Sequence, residues 1–257
     1  MASAAPNPGL PIMYRDLQPL SSVQHGDLKL RPLDRTDVLN NVHALPLTVD
    51  EFILAQRSFP IVFSAGDEAV PLALFGLNEG VNLFVNEDGQ FNPGAYVPAY
   101  ARRYPFMLAQ LRPESQELSL CFDPTSESVG SFAEGDALFD GDQPTETTRN
   151  ILSFCEQFEM AVQRTAAFVK ELSETKLLID GELTIQPDGA DQPFIYRGFR
   201  MISEEAVNDL RGDVARKLVK SGAMALIYAH LFSLGLTRDL FGRQMELGLV
   251  PEPQSAI

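Results

Sequence analysis

Three short apolar runs lie in the first third of the chain and are separated by turn-forming residues. They cover residues 60–63, 71–77 and 81–85 and are rich in Val, Leu and Phe. Runs of this kind, bounded by Gly, Asn and Asp, are typical of sequential antiparallel strands. Asp88 and Gly89 add a hairpin signal, because glycine tolerates the positive φ that a tight turn requires. The pattern therefore predicts an antiparallel β-meander here.

The longest periodic segment covers about 145–172. Its apolar residues recur in steps of three and four, as in Ile151, Phe154, Phe158 and Val162. This spacing places them on one face of an amphipathic helix of about seven turns. It is the strongest prediction of secondary structure that the pattern offers.

A pair of helices is predicted near the C-terminus. Ser203 can cap the first, which should run to the stop signal Ser221-Gly222. The second, at about 223–241, is apolar on most faces, so we expect it to be buried, with His230 as a hydrogen-bonded core residue. Together the patterns predict an α+β fold, in which an antiparallel β-meander or barrel-like sheet packs against the long amphipathic helix and the C-terminal helical pair.

Shorter signals complete the prediction. Thr48 and Glu51 have the spacing of a helix capping box. Residues 176–185 have the pattern of a strand, a turn and a second strand. Further strands are predicted at 28–31, 118–123 and 192–201.

The length suits one large domain. A chain of 257 residues can bury most of its apolar surface in a single core. We expect a single globular domain over 11–249, with 142–145 as the place where it would divide. The small, Pro-rich segment 1–10 is predicted to be a disordered tail, and 250–257 a frayed one.

Charge narrows the classes of partner. The 35 acidic residues against 20 Lys and Arg give a net charge of −15. That balance argues against unspecific nucleic-acid binding and against docking to anionic lipid, both of which depend on cationic side chains. No apolar run reaches the roughly 18 residues of a membrane span, and the N-terminus does not resemble a secretory signal. The sequence predicts a soluble, cytoplasmic protein with no nucleic-acid partner and no membrane insertion.

No known catalytic motif is present. The histidines are scattered, and the chain contains no G-x-S-x-G, Walker A or G-x-G-x-x-G pattern. Cys121 and Cys155 lie in apolar contexts, so we expect buried free thiols. We therefore predict no metal and no cofactor, and catalytic residues stay unassigned.

The most distinctive stretch is YVPAYARRYPF at residues 96–106. It contains three of the six tyrosines and two adjacent arginines. Pro98 can open a short helix, because its fixed φ suits a first helical position. Pro105 should end it, because proline pushes the preceding residue out of the α region.

Two interpretations of this stretch remain open. On a helix, Tyr96, Tyr100 and Tyr104 would share one face, while Arg102 and Arg103 point elsewhere. The first interpretation is a packed aromatic face whose arginines pair with carboxylates. The second is a Tyr/Arg surface that binds an anion or a partner's acidic or aromatic group, because arginine grips carboxylates with a planar fork and stacks on rings.

Asp123 completes the candidate binding set. An alternative is an enzyme with an unfamiliar site, in which Tyr100, Arg102 and Asp123 surround a pocket. A deep cleft with convergent polar groups and perturbed pKa values would favour the enzyme. A flat, exposed aromatic patch would favour binding. We favour binding over catalysis.

Several separated motifs resemble the bacterial SapC family, named for its association with a surface-layer gene cluster. They are YRDLQPLSSVQHGDLKL, YVPAYARRYPF, LSLCFD followed by LFDGDQPT, and LIYAHLFSL. Members have about this length, so the resemblance spans nearly the whole chain; Phe91 stands where the family has a Trp. The resemblance implies an accessory role and supplies no catalytic residues.

The family association also suggests partners. Relatives occur near genes for flavin-dependent tryptophan halogenases, cupin-like oxygenases and TonB-dependent receptors, so a halogenase, an oxygenase or an envelope component is implied. We expect an accessory protein that recognises a protein, peptide or anionic small-molecule partner through the Tyr/Arg surface. A structural surface-layer component is a further alternative. The oligomeric state is not predicted.

Overall fold

Short antiparallel strands and helices alternate along the chain. The computed structural model describes residues 9–32, 37–66, 68–111, 117–187 and 192–250. The strands are β1 Gln18–Pro19, β2 Lys29–Leu30, β3 Ala44–Pro46, β4 Ile61–Ser64, β5 Pro71–Leu74, β6 Phe106–Gln110, β7 Leu118–Phe122, β8 Val129–Gly130, β9 Asp136–Ala137, β10 Phe139–Asp140, β11 Gln143–Pro144, β12 Leu178–Ile185 and β13 Phe194–Ile202. The helices are α1 Ser22–His25, α2 Phe52–Ala55, α3 Ala99–Arg102, α4 Glu146–Glu174, α5 Glu204–Asn208, α6 Gly212–Ser221, α7 Ala223–Ser233 and α8 Leu236–Glu246, with a 3₁₀ turn at Val49–Glu51. All strand pairs are antiparallel, which confirms the α+β class.

The described residues form two compact units that interleave along the sequence. The first unit comprises Met1–Leu39, Asp88–Gln90 and Ala99–Met160, and the second comprises Asn40–Glu87, Phe91–Pro98 and Ala161–Ile257. Residues 142–144 lie in the β10–β11 hairpin of the first unit, and the predicted division at 142–145 stays a prediction. The single domain over 11–249 stays a prediction, and the predicted tails lie mostly outside the described residues, at 1–8 and 251–257.

The second unit contains a five-stranded sheet in the order β12-β13-β4-β5-β3. The predicted hairpin of the first two apolar runs is confirmed as β4 and β5. The predicted third strand at 81–85 is wrong. Asn82 accepts a hydrogen bond from the Phe84 backbone N–H and donates one to the Val42 carbonyl, which turns the chain out of a ladder. Only Val85 pairs, in an isolated bridge with Phe91.

Strand β12 also differs from its prediction. Residues 178–185 form one strand with a bulge between Gly181 and Leu183, whereas a turn was expected there. A Cβ at Gly181 would collide with the Phe199 ring on the neighbouring strand. This glycine therefore permits close cross-strand packing instead of a turn.

The helix signals of the second unit are largely correct. The capping box of Thr48 and Glu51 forms, and the Ser203 hydroxyl accepts a hydrogen bond of 3.1 Å from the Ala206 backbone N–H. Gly222, at φ 82°, ends α6. The predicted helix after Ser203 is interrupted between α5 and α6, next to Gly212, because glycine is unfavourable in a helix interior.

The last predicted helix is also two helices, α7 and α8, which meet near Gly235. His230 on α7 is fully buried, and its Nε2 accepts a hydrogen bond of 3.1 Å from the Ile202 backbone N–H. This confirms the predicted core histidine. Among the described residues, no single helix is long and apolar enough to span a membrane. Gly212–Ser221 and Ala223–Glu246, which are bent by 90° relative to each other, reach that length and apolar composition only together.

The first unit contains the three-stranded sheets β1-β7-β6 and β8-β2-β9 and the β10–β11 hairpin. Its core is formed by Phe106, Leu108, Phe122, Val129, Leu138 and Cys155. Residues 146–160 of α4 belong to this unit, and Ile151 and Leu152 pack against that core. The long helix is thus confirmed, as are the free, buried thiols of Cys121 and Cys155.

Candidate functional site

The predicted Tyr/Arg stretch forms one helical turn, α3, directly after Pro98. It ends early because the Tyr104 N–H bonds to the Ala101 carbonyl and Pro105 has no N–H to continue the ladder. Only Tyr100 of the three tyrosines lies on the helix. The prediction that Tyr96, Tyr100 and Tyr104 share one helical face is therefore wrong.

Arg103 points into the first unit. It is 7% exposed, and its guanidinium carbon lies 4.4 Å from the ring centroids of both Tyr100 and Phe158. Its Nη1 is 3.7 Å from a carboxylate oxygen of Glu159, and its Nε has no hydrogen-bond partner. Arg103 is thus a buried cation held by rings and one long ion pair, and it is not part of an exposed binding surface.

The tyrosines of this unit are also packed inward. The Tyr100 hydroxyl donates a hydrogen bond of 3.2 Å to the Ile12 carbonyl, and the Tyr14 hydroxyl donates one of 2.7 Å to the Phe106 carbonyl. Burial raises the pKa of both phenols. Burial, and then the charge of Asp123, raises the pKa of Tyr104 to about 12. These phenols stay protonated near neutral pH.

Asp123 is fully buried and serves the fold. Its Oδ2 accepts a hydrogen bond of 2.7 Å from the Arg15 backbone N–H, and its Oδ1 accepts bonds from the N–H and the hydroxyl of Thr125. With these bonds the carboxylate joins the Arg15 segment to the end of β7. Tyr100 and Asp123 are buried and are not among the residues that line a cleft with Arg102, and the enzyme alternative stays a hypothesis.

Tyr96 belongs to the second unit. Its hydroxyl donates a hydrogen bond of 3.2 Å to Oε1 of Glu51, the carboxylate of the capping box, and its backbone N–H donates one to the Ser58 hydroxyl. The half-buried ring thus supports the start of a helical turn. The other predicted site residues belong to the first unit.

Arg102 is exposed, in contrast to its neighbour. Its guanidinium carbon lies 5.2 Å from the centroid of the Phe154 ring on α4. Both residues line an open cleft of about 550 Å³ within the first unit. The other lining residues are Leu30, Arg31, Pro32, Arg103, Tyr104, Pro105, Phe106, Ser128, Asp136, Asn150, Ile151 and Cys155.

The cleft is apolar in its walls and cationic in its charged groups. Among the described residues, its charged lining side chains are three arginines and one aspartate, Asp136. The whole chain carries a net charge of −15, so this local excess of positive charge runs against the rest of the molecule. Rings beside guanidinium groups suit a ligand that has an apolar body and a negative charge.

The chemistry of the cleft favours binding over nucleophilic catalysis. Its thiol, Cys155, is buried, and burial raises the pKa of that thiol to about 11, although the Arg103 charge opposes the shift. The thiolate is the reactive form of cysteine, so this thiol is a poor nucleophile near neutral pH. Among the described residues, no group of three or more His, Cys, Asp or Glu side chains is placed to hold a metal ion.

Sequence reasoning found Arg102, Arg103 and Tyr104 but missed the opposite wall. This wall consists of Asn150, Ile151, Phe154 and Cys155 on α4. The apolar spacing assigned Ile151 and Phe154 to the packed face of the helix, Cys155 was expected only as a buried thiol, and Asn150 gave no signal. Arg31 lies at the end of the strand predicted at 28–31. An exposed arginine carries no sequence signal for a cleft.

Comparison with known proteins gives a family. A family model described as SapC matches residues 20–240 of the 257-residue chain and so includes every described residue that lines the cleft. No curated protein and no solved structure matches the chain. The resemblance read from the sequence motifs is thereby confirmed.

Proposed function

Because the chain belongs to the SapC family, we propose that the cleft gives it an accessory role, in which it binds an anionic partner at Arg102 and catalyses no reaction. The observation that carries the proposal is the exposed guanidinium of Arg102 lying on the Phe154 ring at the mouth of an apolar cleft. A guanidinium stacked on a ring still offers its in-plane N–H donors at the edge. A carboxylate at that edge could form a charge-assisted hydrogen-bond pair while the apolar part of the ligand enters the cleft.

The neighbouring residues support this role for Arg102. Arg103 is already engaged by two rings and Glu159, so it can contribute positive potential but not a surface contact. The packing of Arg103 fixes the turn that presents Arg102. Recognition is therefore expected to depend on one exposed arginine, not on both.

Co-purification from the native cell tests the proposal. Tagged wild-type protein, Arg102→Ala and the matched control Arg57→Ala would be compared by mass spectrometry of bound proteins and small molecules. Arg57 is exposed and is not among the residues that line the cleft, so its replacement removes the same charge without changing the lining. Loss of one charge-assisted contact should deplete a bound species about tenfold with Arg102→Ala alone. Equal recovery with all three proteins would contradict the proposal.

A structural surface-layer role is the remaining alternative. Fractionation of cells that carry a tagged chain distinguishes it, because a surface-layer component would be recovered with the envelope. Recovery with the cytoplasmic fraction is the result that the accessory role predicts.

A further inference from the structure

We infer that the anionic partner is an extended acidic peptide segment of another protein, gripped at two points by Arg31 and Arg102. This inference rests on the proposed function and narrows the class of ligand. It comes from a second cleft that shares Arg31 and Pro32 with the first and from the charged residues that line the two clefts.

A second cleft adjoins the first within the same unit. It has a volume of about 610 Å³ and is lined by Arg31, Pro32 and the loop 131–135. Arg31 and Pro32 line both clefts. Sites for small ligands typically occupy about 300–1,000 Å³, so one of these clefts would hold a small anion by itself. Two clefts that share a wall suit a chain that continues from one into the other.

Arg31 repeats the arrangement of Arg102. Its guanidinium carbon lies 4.0 Å from the centroid of the Phe132 ring, and its Nε donates a hydrogen bond of 3.2 Å to the Glu127 carbonyl. Its backbone N–H donates to the Ser128 carbonyl at 2.9 Å, so the residue is fixed at the end of β2. Within the described ranges, neither Arg31 nor Arg102 forms an ion pair. Each therefore presents a preoriented cation to a ligand carboxylate.

The acidic residues along the clefts favour a peptide over a denser polyanion. Glu134 lines the second cleft and Asp136 lines the first. A nucleic acid or polyphosphate would bring its charges close to both carboxylates and be repelled. A peptide can place separate acidic side chains on the two arginines and offer backbone N–H donors to Glu134 and Asp136.

Selection from a random dodecapeptide phage library tests this inference on the full-length protein. We expect enriched peptides to carry at least two acidic residues. The most enriched peptide would then be labelled with fluorescein, and its affinity measured by fluorescence polarisation. Arg31→Ala and Arg102→Ala should each weaken binding about tenfold, and the double variant about a hundredfold, because separate contacts contribute additively. Arg57→Ala should bind like the wild type.

The outcomes separate the inference from the proposed function. Wild-type affinity of Arg31→Ala, or enrichment of peptides without acidic residues, would overturn the two-point peptide site and leave Arg102 recognition intact. The two-point peptide site would also be overturned, and Arg102 recognition kept, if no peptide is enriched but 3-phenylpropionate, which carries one carboxylate, binds to wild type and not to Arg102→Ala. Wild-type affinity of Arg102→Ala for every probe would overturn both. Melting temperatures of the variants show whether a loss of affinity reflects unfolding.

Discussion

Replacing each of the two adjacent arginines by alanine should have very different effects on stability: a large loss for Arg103→Ala and almost none for Arg102→Ala. Arg103→Ala removes a side chain that is 7% exposed, whereas Arg102→Ala removes one that lies in solvent over a ring. The substitutions are chemically identical and neighbouring. Any difference between them therefore reports the environment of the side chain.

The cost of Arg103→Ala follows from its contacts. Arg103 lies 4.4 Å from two ring centroids, and at about 1 kcal/mol for each cation–π contact the two rings contribute about 2 kcal/mol together. The substitution also leaves Glu159, whose side chain is 31% exposed, without its cation. Because that carboxylate keeps access to solvent, we add only about 1 kcal/mol for it. The expected loss is about 3 kcal/mol for Arg103→Ala, against less than about 0.5 kcal/mol for the exposed Arg102→Ala.

Thermal unfolding followed by circular dichroism measures the difference. For a chain of this size 1 kcal/mol corresponds to about 2–4 °C, so Arg103→Ala should melt about 6–12 °C below the wild type. Arg102→Ala should melt within about 2 °C of it. A wild-type melting temperature for Arg103→Ala would refute the internal role of that guanidinium, and equal losses in both variants would refute the contrast between them.

The pH dependence gives a second readout of the same substitution. Burial raises the pKa of Glu159, and the charge of Arg103 opposes that rise. Without Arg103 the folded-state pKa of this carboxyl should rise further above its unfolded value. A carboxyl whose pKa is higher in the folded state than in the unfolded state lowers the free energy of unfolding as pH rises from the unfolded-state pKa through the folded-state pKa. Arg103→Ala should therefore lose more unfolding free energy, relative to wild type, at pH 7 than at pH 4. An equal loss at both pH values would contradict this role of Arg103 beside Glu159.

Two further substitutions test packing elsewhere. Burial lowers the pKa of His230 to about 4, so the unfolded chain binds a proton that the folded chain excludes as pH falls below about 6.5. The stability advantage of wild type over His230→Gln in urea unfolding should fall by about 3 kcal/mol between pH 7.5 and 4.5, and a constant difference would refute the assignment. At Gly130 a Cβ would lie 2.8 Å from the Phe132 ring, so Gly130→Ala should displace the ring under Arg31. We expect Gly130→Ala to weaken peptide binding about tenfold, because the Arg31 contact is lost while the Arg102 contact is retained. A fluorescence-polarisation titration identical to that of wild type would contradict this role of the Phe132 ring.

Local sequence signals predicted most of the longer helices and six of the thirteen described strands, because each of these elements rests on neighbouring residues. The stripe of apolar residues defined α4, and the capping box of Thr48 and Glu51 marked a helical turn correctly. The errors arose where a contact with a residue distant in sequence determined the local structure. Asn82 diverts an apolar run through its bond to the Val42 carbonyl, and Gly181 is required by the Phe199 ring. Neither partner is near in sequence.

The candidate site was only partly predictable for the same reason. The composition of the Tyr/Arg stretch identified Arg102, but it gave no means to distinguish it from Arg103. Burial of Arg103 depends on Phe158 and Glu159, more than fifty residues later in the chain. Phe154 carried the same apolar signal as the core residues of its helix, and a cleft is formed only when α3 and α4 are brought together.

The two arginines depend on each other through the geometry of the turn. The Arg103 backbone N–H donates a hydrogen bond of 3.0 Å to the Ala99 carbonyl, so both residues follow helical geometry, in which successive side chains diverge by about 100°. Once rings and Glu159 hold Arg103 inside, Arg102 must project outward over Phe154. A loss of ligand affinity in an Arg103 variant would therefore arise from the displacement of Arg102 and from the loss of the positive potential that Arg103 adds to the cleft, because Arg103 is buried and offers no surface contact. Under the proposed function, a strongly acidic chain would thus use one cation for its fold and the adjacent one for recognition.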